Sequence, residues 1–168
     1  MAIQRIDVDT YLELSKKALE SNVSVLQSVL ADTIFLQSLY KKYHWHVEGE
    51  DFYQYHLLFD KHAGELIPLI DLIAERIRIL GGVAPGMPDE VQHNKTVDEG
   101  KDPGTDARKM VANLLLVHDK CLKNVRSGAQ IADKNNDMGT NDMLVSEVMR
   151  THELQSWFIR SSASVHRR

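Results

Sequence analysis

Apolar residues recur at helical spacing along nearly the whole chain, and nowhere do they alternate as a half-buried strand requires. Val25, Val29, Leu36, Leu39 and Tyr43 follow one another at intervals of four, seven, three and four residues, marking one face of a long helix. The pattern predicts that this helix begins near Ser21-Asn22, after a stretch at 7–20 that is a flexible arm or a short extra helix. It should end at Glu48-Gly49, because glycine readily takes the left-handed conformation that closes a helix. Asp51 then reads as the next N-cap, with Gln54 reaching back as in a capping box.

A second helix is expected over 52–80, on the order of 43 Å long at 1.5 Å per residue, stopping at Gly81-Gly82. Pro68 lies in its interior and removes a backbone donor, which predicts a kink. Leu66, Ile67, Ile70, Ile73 and Ile77 carry the apolar face across the proline, so a bend is expected rather than a break. Residues 82–104 hold three of the four prolines and are too long for a plain connection. Pro88-Asp89-Glu90 can open a short helix there, since proline suits the first helical position. A third long helix is expected over about 106–134, and a fourth from 140, with Thr140 as N-cap, to about 161. The expected fold is all-α: four helices with one long crossover between the second and third.

At 168 residues the chain is the size of one domain, 1–168, with short flexible arms at about 1–9 and 162–168. No apolar run approaches the eighteen or more residues of a membrane span, and the N-terminus lacks the layout of a secretory signal. One cysteine, Cys121, cannot form an internal disulfide, and the setting expected is reducing and cytoplasmic. A net charge of −4 argues against a general polyanion binder.

The chemistry is concentrated between residues 44 and 75. His44 falls in the last turn of the first helix, and His56, Asp60, Asp71 and Glu75 fall on the second. The offsets from His56 are 4, 15 and 19 residues, which place the four on one helical face. Asp60 and Asp71 are nevertheless roughly 16 Å apart along the axis, while ligands lie about 2 Å from a metal. They cannot share one ion within a chain. Either each chain has two sites, or two copies of the helix pack antiparallel about a two-fold axis, bringing His56 and Asp60 of one opposite Asp71 and Glu75 of the other. Imidazole with carboxylate suits iron, manganese or zinc, and the lack of thiolate argues against a structural cysteine–zinc site.

The run His44-Trp45-His46-Val47-Glu48-Gly49, with Phe52, His56, Asp60, Asp71, Ala74-Glu75-Arg76 and Leu80-Gly81-Gly82, closely resembles the signature of the Dps proteins. These are mini-ferritins of the ferritin-like superfamily. The resemblance extends through Thr140-Asn141-Asp142-Met143 and His152-Glu153 to Trp157, nearly the whole chain. It implies a ferritin-like four-helix bundle and a di-iron ferroxidase site between subunits. His44, His56 and Asp60 would come from one subunit, and Asp71 and Glu75 from its two-fold mate. It further implies a hollow homododecamer that admits iron(II) through acidic pores and oxidises it, by preference with hydrogen peroxide over dioxygen. The product would be kept as ferric mineral, and oxidative stress thereby limited. The alternative reading is a non-catalytic cage or nucleoid-associated protein with zinc or no metal at the site. A ferritin-type site needs Glu-x-x-His on two long helices, and the one instance, Glu90-Val91-Gln92-His93, lies in the crossover. A manganese-type catalase on a similar bundle is a third reading.

Trp45 in the resemblance lies near enough to accept an oxidising equivalent, although packing is the simpler reading, as for Tyr43, Tyr53 and Tyr55. His62 is roughly 200° around the helix from Asp60 and should face away from the site. Like His46, His118 and His152 it reads as a bundle or interface histidine, though some family members recruit extra histidines to the metal. Asp137 and Asp142 match the region lining the family's three-fold pore, and equally suit helix N-terminal carboxylates. Many members bind DNA through basic tails. Here the first nine residues set Arg5 against Asp7 and Asp9, and the C-terminus offers Arg160, His166, Arg167 and Arg168. Weak or absent DNA binding at physiological salt is expected.

Overall fold

A computed structural model describes residues 8–162, so most of the two expected terminal arms lies outside the described residues. Residues 8 and 9 belong to a short helix, α1 (Val8–Leu12), and residue 162 closes the last one. Glu13 turns the chain with φ +55°, and Ser15 caps α2 (Lys16–His46) by accepting the Ala18 amide at 3.2 Å. The first long helix thus starts earlier than the expected Ser21-Asn22. Ser15 supplies the acceptor, and Leu14 and Ala18 are already buried in the core.

At the far end of α2 the Val47 amide bonds back to the Tyr43 carbonyl, and Gly49 takes φ +111° as expected. Asp51 precedes α3 (Phe52–Ile79), but its side chain caps nothing, so the expected capping box is not formed. The turn is closed by backbone bonds instead, Phe52 N–H to Gly49 and Tyr55 N–H to Asp51, both 3.1 Å. α3 runs through Pro68 unbroken.

The crossover carries α4 (Pro88–Asn94), the short helix expected at Pro88. Buried Asp32 of α2 holds this segment: it accepts the Thr96 amide at 2.6 Å, the Thr96 hydroxyl at 2.7 Å and the Asn124 amide group at 2.8 Å. α5 (Ala107–Lys134) begins at Asp106, whose carboxylate accepts the Arg108 and Lys109 amides.

The fourth helix departs from expectation. It opens as α6 (Met138–Asp142), passes through a π-helical stretch (Met143–Met149) and continues as α7 (Arg150–Ser162). Asp137, not Thr140, is the N-cap, and both the amide and the hydroxyl of Thr140 donate to it, at 3.0 and 2.6 Å. Thr140, Leu144, Val148 and His152 are all buried at four-residue steps. In an α-helix such positions drift by about 40° per step. The wider π turns take up that drift and keep the row facing inward.

The four long helices bury one face each. Leu36, Tyr40, Tyr43, Phe59 and Leu114 fill one end of the bundle, and Leu26, Leu30, Ile73, Ile77 and Leu144 the other. By length and composition α2 has an eighteen-residue window apolar enough to cross a membrane, at mean hydropathy 1.2, contrary to the reading from the sequence. Its apolar face is spent against α3 and α5 inside the bundle.

Candidate metal centre

His44, in the last turn of α2, and His56, in the second turn of α3, meet across the α2–α3 corner. Their rings stack with centroids 3.8 Å apart. The backbone exchange is reciprocal: His44 Nδ1 lies 2.8 Å from the His56 carbonyl, and His56 Nδ1 lies 2.8 Å from the His44 carbonyl. A carbonyl only accepts, so each Nδ1 carries a proton, and in the neutral ring Nε2 is the nitrogen with the lone pair. Histidines that ligate metal are commonly held this way, the second nitrogen donating to a backbone oxygen that fixes tautomer and ring orientation.

Asp60, one turn along α3, is exposed and joins the pair. Its carboxyl is held below the usual carboxylate range first by a 2.6 Å hydrogen bond from Lys41 Nζ, then by the charge of Lys41 and the proximity of His44 and His56. Lys41 Nζ also sits 5.9 Å from the exposed Trp45 ring. His44, His56 and Asp60 are therefore brought to one corner, with a lysine on the aspartate.

Asp71 and Glu75 lie three to four turns further along α3. Both are exposed and form no hydrogen bond or ion pair with described residues. Among the described residues no three histidine, cysteine, aspartate or glutamate side chains converge tightly enough within one chain to hold an ion.

Other residues singled out by the sequence are placed differently. Asp137 turns inward: it is buried, takes the 2.8 Å bond from Asn22 Nδ2, and pairs with Arg76 while capping α6. Of the two readings left open for it, the cap is the one observed, and a carboxylate buried there does not line a pore. Asp142 stays exposed and accepts the Ser146 hydroxyl at 2.8 Å. His62, His118 and His152 are wholly buried in the bundle, far from exposure. His62 faces away from Asp60, as its helical angle predicts. What the sequence did not single out is Tyr40, whose hydroxyl ties His62 to His118. Its spacing to Tyr43 and Leu36 marks it only as a core residue. Lys41 was also missed, since a lysine beside a ligand aspartate leaves no spacing signal.

Residues 23–166 match the ferritin-like domain family. The chain is 41% identical to DpsC from Streptomyces coelicolor, with a TM-score of 0.88 over 98% of this chain and 93% of that one. The Dps structure from Thermosynechococcus elongatus is 26% identical, with a TM-score of 0.84 over 90% of this chain and 95% of that one. A DNA protection during starvation protein of Halobacterium salinarum is 30% identical over 133 residues, covering 79% of this chain and 73% of its own. Fold, helix order and sequence agree: the chain belongs to the Dps family, within the ferritin-like superfamily.

Proposed function

We propose that this protein is a ferroxidase and iron store, oxidising iron(II) at sites formed between two-fold-related subunits of a hollow dodecamer. Residues 1–168 form one such subunit, and the setting is cytoplasmic. Membership in the family supports an iron-handling role in general. The observation that carries the rest is the reciprocal His44–His56 bonding, which leaves two Nε2 lone pairs beside the Asp60 carboxylate.

In this reading His44, His56 and Asp60 bind iron(II) as substrate, and Asp71 and Glu75 of the partner subunit complete the site. Two neutral imidazoles and three carboxylates make a donor set of borderline and hard ligands suited to iron in both oxidation states. Binding requires Lys41 to leave Asp60, a swing of a partly exposed side chain. Two iron(II) ions give two electrons to one peroxide, whose O–O bond breaks to form two hydroxides. Hydrolysis of the iron(III) product then deposits mineral. Hydrogen peroxide is the preferred oxidant in this reading, and DNA binding at physiological salt is weak.

The test is peroxide-driven iron(II) oxidation by metal-free protein, followed optically beside a His56→Ala, Asp60→Ala double variant. Rapid oxidation with soluble mineral, slowed about a hundredfold or more in the variant, is the expected result. Equal, slow rates in both would replace this reading with a cage holding zinc or no metal.

A further inference from the structure

The centre of the bundle holds a chain of polar side chains drawn from all four long helices. Tyr40 of α2 lies between His62 of α3, at 3.2 Å from its Nδ1, and His118 of α5, at 2.6 Å from its Nε2. His118 Nδ1 in turn lies 3.1 Å from Nδ1 of His152 on α7. All four side chains are fully buried. The chain ends at His62 Nε2 and His152 Nε2, neither of which has a partner among the described residues.

The distances favour one direction for these bonds. N–H donors to oxygen lie at about 2.7–3.2 Å, whereas O–H donors come closer, at about 2.5–3.0 Å. The 2.6 Å contact is therefore Tyr40 O–H donating to His118 Nε2, and the 3.2 Å contact is His62 Nδ1–H donating to the phenol oxygen. With its Nε2 accepting, neutral His118 carries its proton on Nδ1 and donates it to His152 Nδ1. Burial keeps Tyr40, His118 and His152 neutral: it raises Tyr40 well above the usual phenol range, lowers His118 well below the usual imidazole range and holds His152 at about 4.

A phenol buried away from solvent gives up an electron only if its proton has somewhere to go, because the oxidised phenol is a strong acid. Tyr40 has a neutral imidazole at short range. The other buried tyrosines do not: Tyr55 donates to the Ser162 carbonyl, which cannot take a proton, and Tyr43 reaches the Glu99 carboxylate only at 3.3 Å. Trp45 and Tyr53 are exposed to solvent, at 68% and 67%. Tyr40 is also close to the metal corner. It is one helical turn from His44, roughly 6 Å along the axis. Phe59 bridges it, at 6.1 Å, to Tyr55, at 5.6 Å, which immediately precedes His56.

We propose that Tyr40, bonded to His118, is a proton-coupled one-electron donor that reduces hydroxyl radical formed from hydrogen peroxide and iron(II) at the His44–His56–Asp60 corner. Only the source of this oxidant rests on the function proposed above. When a single iron(II) meets peroxide, it passes on one electron and leaves hydroxide and hydroxyl radical. Tyr40 supplies the missing electron, so the hydroxyl radical becomes a second hydroxide. The phenol proton lodges on His118 Nε2, and the His118 Nδ1 proton shifts to His152 Nδ1. The neutral tyrosyl radical then takes an electron from the next iron(II), which becomes iron(III), while the protons return along the chain. The sum is two iron(II) oxidised by one peroxide, with no radical released.

Metal-free protein oxidised by a flash-generated ruthenium(III) tris-bipyridyl complex tests the donor without any ferroxidase activity. With exposed Tyr11 and Tyr53 changed to phenylalanine in an otherwise native protein, neutral tyrosyl radical, read by electron paramagnetic resonance, is expected, and it is absent when Tyr40→Phe is added. His118→Gln keeps an acceptor but not a base, and should lower the radical yield about tenfold, the effect of some 1.4 kcal/mol. No tyrosyl signal in that background, an unchanged signal when Tyr40→Phe is added, or an undiminished yield in His118→Gln overturns the proposal. A second arm supplies iron(II) one equivalent per site with peroxide and a spin trap. Trapped hydroxyl radical should rise in Tyr40→Phe while iron oxidised at excess iron(II) stays level. Equal trapping in both proteins overturns the protective role.

Discussion

Lys41 decides how readily Asp60 receives a cation. Its ammonium occupies the carboxylate at 2.6 Å, yet Asp60 is half exposed and the pair is only partly shielded from water. Such pairs are worth about 0–1 kcal/mol, so the lysine competes weakly. We expect Lys41→Gln to tighten metal binding at the corner by up to about fivefold, measured by calorimetric titration of metal-free protein. Unchanged or weaker binding would mean that the lysine does not stand in the metal's place. His152 sets a pH limit. Burial lowers it from 6.5 to about 4, so the unfolded chain takes up a proton before the folded one does. Its contribution is whole above pH 6.5 and is lost as pH falls toward about 4. His118 acts in the same direction. The urea midpoint should fall across that window, and His152→Gln should flatten the fall. A midpoint constant from pH 7 to 4 would show that these groups do not control acid stability.

At the scale of elements, the fourth helix depends most on a single residue. Asp137 caps α6, receives Asn22 from α2 and pairs with Arg76 from α3, all at 2% side-chain exposure. Asp137→Ala leaves Arg76 without its carboxylate partner and the helix start without its acceptor. Loss of a buried pair by removing one member costs about 3–5 kcal/mol. We expect a loss of that order in denaturant unfolding; a loss under 1 kcal/mol would mean that water replaces the carboxylate. Helix number, order and approximate length were legible in the sequence because apolar spacing records which residues must be buried. The helix starts were less so. Asp51, Thr140 and Ser15 are all acceptable N-caps by residue type, and which one bonds an amide depends on the path of the backbone. The π-helical stretch was not legible, since four-residue steps are compatible with a plain helix over short lengths.

At the scale of the whole molecule, His56 and Asp60 lie at one level of α3 and Asp71 and Glu75 at another, so the site proposed above needs a second chain. This gives a complementation test. Subunits carrying His56→Ala, Asp60→Ala and subunits carrying Asp71→Ala, Glu75→Ala should each be inactive alone. Reassembled together from equal amounts, half of the two-fold pairs would be mixed, and each mixed pair has one intact site. We expect about a quarter of the native iron-oxidation sites to return. No recovery above either parent would mean that the ligands act within one chain.

The sequence by itself determined the helices, the crossover, the family and the five positions proposed as ligands. Each of these is recorded in local spacing or in a contiguous motif. Only the tertiary structure decided that His44 and His56 lock one another's tautomers, that Lys41 covers Asp60, that Asp137 is a buried cap and that Tyr40 links His62 to His118. Those relations join residues 12 to 115 positions apart. Their distances and proton positions follow from how the helices pack, which no periodicity along one helix encodes.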